Sequence, residues 1–418
     1  MISLYFKTIR LLFFSVCIIL IHSIPKSVSA QGIQFKAGSF EQILAQAKSQ
    51  NKAVFVEIYL NGCPHCEALA PVLTEKKVGD FYNSAFVSLK AEANSALAKS
   101  LQDKQKLYFP EFPLFFFFDA SGKLLHQATP SDKPTRPEFI EEVLRHGTNA
   151  LNPAVRTSSY PARFAQGERT PDFLINYGKY TKATRDTARL MEISNELARL
   201  FVQPADLESQ VGFYILGRII PDFQNPMAQY FFTHLDTYRS RYGVREIQQA
   251  GEGILFQTLY GHRTNDLTSK EVIDMRKAME SLGVPAAVVA MRTILKEIET
   301  LLREKNTAQA TARFDAYQSA STLGLPDYAY LVRFFNEKAP DSSYAESLVR
   351  WVNRALTQVK PGQPARAEVA ELYREQSEAY LRLGKKAEGK KAAETALALA
   401  KATKEALPSY EKQVAKFR

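Results

Sequence analysis

The chain has 418 residues, of which 45% are hydrophobic and 23% are charged, and its 54 basic and 44 acidic side chains give a formal charge of +10. This length makes a single domain improbable and predicts two or three domains with substantial cores. The positive charge is modest for the length, so the composition gives no reason to expect nucleic acid as a partner.

Residues 1–30 have the pattern of an export signal. Lys7 and Arg10 precede an apolar run over residues 11–21, and the small residues at 28–30 offer a cleavage site. The run is short for a bilayer span, and no longer apolar stretch follows it. We therefore expect an exported, soluble chain, periplasmic or otherwise extracytoplasmic, without a stable transmembrane anchor. A retained anchor is the alternative.

The next part of the chain alternates helix and strand patterns. Ser39 and Gln42 have the spacing of a capping box, which marks the start of the first helix. The order of the elements predicts an α/β domain, a mixed sheet flanked by helices. In chain order we predict this first helix, a strand at 54–60, a helix from the cysteines to about 77, a strand at 85–90, a helix near 95–106, strands at 112–119 and 123–127, and a helix that has Pro137 in its first turn and stops before Gly147.

The motif Cys63-Pro64-His65-Cys66 contains the only cysteines after residue 30. In an oxidising compartment, two cysteines at this spacing can form a disulfide. That bridge closes only a tiny loop, which argues against a purely structural role. A second cysteine pair for structural zinc is missing from the sequence, and Glu67 stands where haem attachment needs His. The pair therefore predicts redox chemistry that needs no metal and no cofactor.

The two cysteines are expected to have different roles. The thiolate attacks a disulfide, so the attacking sulfur must be partly ionised. Cys63 at a helix start would meet free backbone N–H groups and the positive end of the helix dipole, and His65 adds a cationic or hydrogen-bonding neighbour. Such surroundings lower the pKa of a cysteine thiol to between about 3.5 and 7.5. We assign attack to Cys63 and resolution of the mixed disulfide to Cys66, one helical turn further on.

Glu57 is the candidate base for this resolution step. It lies on the strand that leads into the cysteine motif, and burial there would raise the pKa of its carboxyl so that it exchanges protons near neutrality. A surface glutamate on an amphipathic strand is the alternative. The four phenylalanines at 115–118 are predicted to be core residues rather than a ligand site.

These residues resemble the thioredoxin superfamily over about residues 31–148. Glu57 lies six residues before the first cysteine, Pro71 lies five residues after the second, and Phe112-Pro113 is followed by a strand and a Gly turn. The resemblance implies a thioredoxin-like fold, a buried carboxyl at Glu57, a helix kink at Pro71 and a cis bond before Pro113 that faces the cysteines. The motif Cys-Pro-His-Cys after a Glu-bearing strand is similar to the bacterial disulfide-oxidase (Dsb) branch in particular.

The chemistry and the resemblance together predict an exported thiol-disulfide oxidoreductase with protein thiol or disulfide substrates and a redox-recycling partner. His65 favours disulfide donation or isomerisation, because stabilising the reduced thiolate makes a disulfide a stronger oxidant. An exported reductase stays open, since direction also depends on the recycling partner. Pro113 has no N–H to compete beside the sulfur atoms, and its flanking backbone can pair with an extended substrate. Gly62 stands where thioredoxins carry Trp, which predicts different recognition near the disulfide.

The rest of the chain is predicted to be helical. Residues 149–171 are rich in Asn, Pro, Ser, Thr and Arg and predict an interdomain linker. Residues 172–418 predict an all-α, repeat-like domain, because apolar residues recur there at helical intervals and strand-like alternation is scarce. The clearest predicted helices span 185–201, 229–242, 269–282, 286–303 and 308–321.

The C-terminal end resembles one tetratricopeptide repeat at Tyr380, Gly384, Gly389 and Ala396, although the usual closing proline is absent at Lys401. An irregular helical solenoid is therefore expected rather than a regular array. Such a domain either binds a client protein or only stabilises the enzyme. The competing functional class is a helical client-binding adaptor with an auxiliary redox domain.

Two further features are expected to carry no chemistry. From position 381 onward, ten Lys or Arg accompany four Glu, which we interpret as a solvated helical face rather than a surface for acidic lipid or nucleic acid. His126, His146, His234 and His262 show no metal-ligand spacing with one another and are expected to be ordinary surface or core histidines.

Overall fold

The computed structural model describes residues 32–360, 362 and 364–418, so the predicted export signal lies outside the described residues. The chain separates into two compact units, one that ends at Leu197 and one that begins at Ala198. The first contains all the strands described below, and the second is helical.

The first unit is built on a five-stranded sheet. Its strands are β1 (Phe35–Lys36), β2 (Ala53–Tyr59), β3 (Phe86–Glu92), β4 (Leu114–Phe118) and β5 (Leu124–Ala128). They lie in the order β1-β3-β2-β4-β5. β3 runs parallel to both β1 and β2, whereas β4 runs antiparallel to both β2 and β5. This mixed sheet confirms the predicted α/β class.

Helices cover both faces of this sheet. One face is covered by α1 (Phe40–Ser49) and α4 (Ala96–Gln105), and the other by α2 (Pro64–Leu73), α3 (Lys76–Ala85) and α5 (Arg136–Leu151). The chain continues with a 3-10 turn (Thr157–Ser159), α6 (Tyr160–Ala165), α7 (Pro171–Ala183) and α8 (Thr187–Leu200). Ser39 and Gln42 form the predicted capping box of α1. Because strand side chains alternate between faces, Phe116 and Phe118 pack with α1 and α4, while Phe115 and Phe117 pack with α2, α3 and α5. The prediction that these phenylalanines are core is confirmed.

The cysteine-bearing helix ends earlier than predicted. α2 stops at Leu73, and α3, which the sequence pattern did not separate from it, begins at Lys76. Ile33 donates its backbone N–H to the Leu73 carbonyl at 2.9 Å, so that carbonyl is already occupied where the helix would continue. A Cβ on Gly32 would come within 2.3 Å of this same carbonyl oxygen. The N-terminal segment therefore terminates α2, which local periodicity could not indicate.

Gly147 does not end α5 as predicted, because the helix continues to Leu151. A Cβ at Gly147 would lie 2.5 Å from Phe81 and 3.1 Å from Tyr82. The glycine therefore allows α5 to approach α3 closely and has no role in stopping the helix.

The segment predicted as a linker, residues 149–171, contains the 3-10 turn and α6. Its Thr157 hydroxyl accepts the backbone N–H of Gln127 at 2.9 Å, and the Thr157 N–H donates to His126 Nδ1 at 3.1 Å. The segment is thus hydrogen-bonded to β5 and lies within the first compact unit.

The described residues of the second unit form helices and no strands. Successive helices pack on one another around a core that includes Phe314, Phe335, Tyr344 and Trp351, which confirms the all-α prediction. The predicted helix at 229–242 is divided in two at His234, whose φ of −123° and ψ of 30° are not helical. The helices are α9 (Pro204–Leu207), α10 (Gln210–Arg218), α11 (Pro226–Thr233), α12 (Leu235–Arg239), α13 (Val244–Tyr260), α14 (Ser269–Ser281), α15 (Ala286–Arg303), α16 (Thr307–Ala320), α17 (Leu325–Lys338), α18 (Ala345–Leu356), α19 (Ala367–Arg382), α20 (Lys386–Ala402) and α21 (Pro408–Ala415).

The repeat-like positions lie on α19 and α20. Gly384 has a φ of +72° in the turn between these helices, a conformation that favours glycine. A Cβ on Gly389 would lie 2.5 Å from Phe417, and Ala396 is buried. Small residues thus allow close helix packing, while membership of the tetratricopeptide family stays a prediction.

Within the part of the chain that the structure describes, no helix combines the length and apolar character that crossing a bilayer requires.

Candidate active site

Cys63 and Cys66 lie at the start of α2, as predicted. Cys63 is the N-cap residue, with an extended backbone (φ −84°, ψ 115°), and Pro64 occupies the first helical position. Gly62, just before it, has a φ of +73°, so the turn into the helix favours glycine there. Both cysteines are free thiols, and Cys63 is partly exposed whereas Cys66 is only 7% exposed. The outer sulfur is therefore the one that another protein can reach.

The loop before β4 faces the outer cysteine. Cys63 Sγ lies 3.8 Å from the carbonyl oxygen of Phe112, and the bond between Phe112 and Pro113 is cis, as the resemblance implied. Pro113 is buried, while Phe112 is only partly so. The outer cysteine thus lies beside the backbone that precedes the cis bond.

Glu57 is completely buried in the centre of β2, so the surface alternative is excluded. Its strand neighbours are Lys90 on β3 and Phe115 on β4. Lys90 Nζ lies 3.2 Å from Glu57 Oε2, but neither carboxyl oxygen takes part in a well-directed hydrogen bond. Lys90 also lies over the ring of Tyr59, 4.6 Å from its centroid. Burial raises the pKa of Glu57, and the charge of Lys90 only partly opposes this effect.

Cys66 is held as a thiol. Burial is the main reason that its pKa is raised to about 12, and hydrogen bonding to Cys63 together with the negative charges of Cys63 and Glu57 raises it further. A hydrogen bond with the backbone of Leu60 acts in the opposite direction. Cys66 therefore needs a proton acceptor before it can attack, and Glu57 is electrostatically coupled to it.

His65 has a partner that the sequence did not indicate. Its Nδ1 lies 2.6 Å from Oδ2 of Asp132, in the loop between β5 and α5. The two residues are 67 positions apart, and Asp132 belongs to no motif, so no signal in the sequence could have paired them.

The loop that carries Asp132 is anchored by Glu142 on α5. The backbone N–H and the hydroxyl of Ser131 both donate to Glu142 Oε1 at 3.2 Å, and Lys133 Nζ lies 2.5 Å from Oε2. Burial alone would raise the pKa of Glu142, but hydrogen bonds from His146, Lys133 and Ser131 outweigh it and hold that pKa well below the usual range. Glu142 is thus ionised and fixes both neighbours of Asp132.

His126 and His146 are buried side by side under this loop, with ring centroids 6.4 Å apart. Burial lowers the pKa of both, that of His126 to about 3, and the charges of His146 and Arg145 lower the pKa of His126 further. Both are core histidines. Among residues 32–360, 362 and 364–418, no three His, Cys, Asp or Glu side chains are grouped to hold a metal ion.

Residues 35–120 match a family model described as thioredoxin-like, within the range of the sequence resemblance. This part of the chain is a thioredoxin-like domain. The helical second unit lies outside the match, and no curated protein matches the chain.

The solved structures that are similar to this domain include the following three. A putative disulphide-isomerase from Bacteroides thetaiotaomicron is 26% identical, and the alignment covers 28% of this chain and 94% of that chain with a TM-score of 0.24. A thioredoxin from Thermus thermophilus is 19% identical, with 28% and 87% coverage and a TM-score of 0.23. A DsbH oxidoreductase is 16% identical, with 29% and 90% coverage and a TM-score of 0.23. TM-scores this low carry no functional argument.

Proposed function

We propose that this chain is an exported, extracytoplasmic thiol-disulfide oxidoreductase that exchanges disulfides with protein substrates through Cys63 and Cys66. One observation carries the proposal. A partly exposed thiol at a helix N-cap lies 3.8 Å from the carbonyl that precedes a cis proline, and a second, buried thiol follows one turn later. This arrangement presents one sulfur to a substrate and withholds the other until a mixed disulfide exists.

The first step is attack by Cys63. Its thiolate attacks one sulfur of a substrate disulfide, a bond forms between Cys63 Sγ and that sulfur, and the other substrate sulfur leaves as a thiolate. The unpaired N–H groups at the start of α2 and the positive end of the helix dipole stabilise the attacking thiolate. His65 adds a further positive charge when it is protonated.

The second step is resolution by Cys66. Glu57 accepts the proton of the Cys66 thiol, and the new thiolate attacks Cys63 Sγ. A Cys63–Cys66 disulfide forms, and the bond to the substrate breaks, which releases the second substrate sulfur as a thiolate. Two electrons have then passed from the cysteine pair to the substrate. The same steps in reverse oxidise a substrate dithiol.

The loop at Pro113 is the proposed substrate-binding edge. Proline has no backbone N–H, so that residue places no donor beside the sulfur atoms. Phe112 is partly exposed, and its backbone is the proposed site at which an extended substrate segment pairs, which would bring the substrate sulfur next to Cys63.

The direction of electron flow is proposed to favour disulfide donation or isomerisation. His65 stabilises the reduced thiolate, and any such stabilisation raises the oxidising power of the disulfide. A redox partner in the same compartment must then restore the disulfide after each donation. The helical unit is proposed to bind the client protein.

An adaptor is the second candidate, favoured by a groove in the helical unit. Phe256 on α13 is 64% exposed, and it lines a largely apolar cavity of about 640 Å³ together with Tyr260, Met279 and Arg292. In this alternative the helices capture a client and the redox domain only assists.

Turnover assays on the full chain separate the two candidates. An oxidoreductase loses catalysed oxidation of a reduced protein substrate in both Cys63→Ala and Cys66→Ala. An adaptor retains client binding and function in both variants. Full retention of turnover by either variant would overturn the proposed enzyme.

A further inference from the structure

We propose that Asp132 is a positioning residue for thiol-disulfide exchange, and that its carboxylate holds His65 so that the cysteine pair is a stronger oxidant. The inference rests on the proposed function. It assigns a role to a residue that lies outside the matched segment 35–120 and outside the cysteine motif.

The contact fixes the proton on the histidine ring. Nδ1 of His65 lies 2.6 Å from Asp132 Oδ2, and an ionised carboxylate only accepts hydrogen bonds, so Nδ1 is the donor. Protonation of Nε2 then decides whether the ring is neutral or positive. The contact thus holds the ring in a fixed orientation within the cysteine motif, where a positive ring favours the thiolate of the reduced cysteine pair.

The loop around Asp132 is built to hold this position. Its two neighbours, Ser131 and Lys133, are both bound by the buried, ionised Glu142. Lys133 is therefore engaged elsewhere and does not neutralise Asp132. Three residues before Asp132, Thr129 donates its hydroxyl hydrogen to Glu111 at 2.7 Å, next to the loop that contains the cis bond. The fixed loop reduces the entropy that Asp132 must lose to meet His65.

Asp132 acts on the cysteine pair in two opposite ways. By holding His65 it keeps a cationic or hydrogen-bonding ring beside the cysteines, whereas its own negative charge repels the thiolate. With the histidine present, we expect the effect through the ring to be larger than the repulsion, because His65 lies between the two cysteines in the motif. Without the histidine only the repulsion is left, so removal of Asp132 should then no longer weaken the oxidising power of the cysteine pair.

A double-mutant cycle on the full chain tests whether the effect of Asp132 depends on His65. The measured quantity is the equilibrium constant for reduction by glutathione, in which the protein disulfide and two glutathione thiols give the protein dithiol and glutathione disulfide. Alkylation of the free thiols after equilibration, followed by mass analysis, gives the reduced fraction. The variants are Asp132→Asn, His65→Ala and the combination of both.

We expect Asp132→Asn to lower this constant about two- to fivefold, a modest change because His65 and Asp132 are 63% and 50% exposed. In the His65→Ala background the same substitution should leave the constant unchanged or raise it. Asp80→Asn is the matched control, because Asp80 lies 2.6 Å from Lys76 in an equally exposed pair that contacts neither cysteine. This control should leave the constant unchanged.

Two results would contradict the inference: an unchanged constant in Asp132→Asn, or an equal decrease with and without the histidine, which indicates a merely structural role. Failure of the proposed function is seen separately. If the unmodified chain does not catalyse exchange with a protein disulfide, the proposed activity is wrong whatever the four constants are.

Discussion

Each unit of this protein contains buried glutamates, and Glu57 and Glu297 differ in how their charge is compensated. In the helical unit, Glu297 accepts hydrogen bonds from Arg313 at 2.6 and 3.2 Å and from Thr293 at 2.7 Å, and Arg276 lies 3.4 Å away. In the first unit, which contains the thioredoxin-like domain and is called the thioredoxin-like unit from here on, Glu57 is fully buried without a well-directed hydrogen bond.

This contrast distinguishes a buried glutamate that stabilises the fold from one that is suited to proton transfer. A buried charge that is fully paired holds helices together and has little freedom to change its protonation. A buried carboxyl that is incompletely paired has a raised pKa and can exchange protons, at a cost in stability. Proteins accept that cost mainly at functional sites, and Glu57 lies on the strand that leads into the cysteine motif.

The largest expected effect on the free energy of unfolding comes from removing the carboxylate of Glu297. Glu297→Ala leaves the guanidinium groups of Arg313 and Arg276 without their shared carboxylate, so we expect a loss of about 3–5 kcal/mol in the free energy of unfolding. The unfolding transition of the helical unit in denaturant measures this change. A loss below about 1 kcal/mol would mean that the pairing does not hold the helices.

Glu57→Leu should have the opposite effect on stability. A carboxyl with a raised pKa favours folding below its unfolded pKa of about 4.3, and this contribution is lost as pH rises toward the folded pKa. The variant should therefore be more stable than the parent by about 1–3 kcal/mol at neutral pH and above, with a smaller difference below pH 4. Thermal unfolding across this pH range measures the difference.

The same variant should resolve mixed disulfides about a hundredfold more slowly, because Cys66 has lost its proton acceptor. Rapid-quench alkylation follows the mixed disulfide directly. Lower stability together with unchanged resolution would contradict the assignment of Glu57 as the base.

Alanine substitutions at two glycines compare the packing of the two units. Gly147→Ala should destabilise the thioredoxin-like unit by about 1–3 kcal/mol, because the new Cβ would lie 2.5 Å from Phe81. Gly253→Ala on α13 should stabilise the helical unit by about 1 kcal/mol, since no atom lies within 4 Å of the new Cβ. Calorimetry on the full chain gives both shifts, and equal signs would refute the packing argument.

The acid sensitivity of the thioredoxin-like unit is a graded effect that grows as the pH falls. The lowered pKa of His126 means that the unfolded chain binds the proton more readily. The free energy of unfolding is therefore at its highest above pH 6.5, the unfolded pKa of histidine. Below pH 6.5 it falls by up to about 1.4 kcal/mol for each pH unit. His126→Gln should reduce this slope without removing it, because the pKa of His146 is lowered as well. Urea unfolding between pH 7 and 5 measures the slope, and an unchanged slope would contradict the assignment to His126.

Local patterns in the sequence predicted what local forces determine. The capping box at Ser39 fixed the start of α1, and apolar periodicity gave α15 its observed bounds of 286–303. The cysteine motif and the strand before it were likewise predictable from the sequence, because helix starts and buried strands have strong local signals.

The rest depends on contacts between distant residues. α2 ends where the N–H of Ile33 occupies the Leu73 carbonyl. Gly147 allows the close approach of Phe81 and does not end its own helix. Asp132 meets His65 across 67 positions. Such pairings follow from the completed fold, so neither residue type nor spacing could predict them.

Trapping of the mixed disulfide tests the central claim most directly. The full-length Cys66→Ala chain, incubated with a disulfide-containing protein, should accumulate a covalent complex in which Cys63 Sγ is bonded to a substrate sulfur, and Cys63→Ala should form none. Mass analysis of the linked peptides identifies the sulfur. If the trapped bond lies on Cys66 of the Cys63→Ala chain, or if neither variant forms a complex, the account of the site is contradicted.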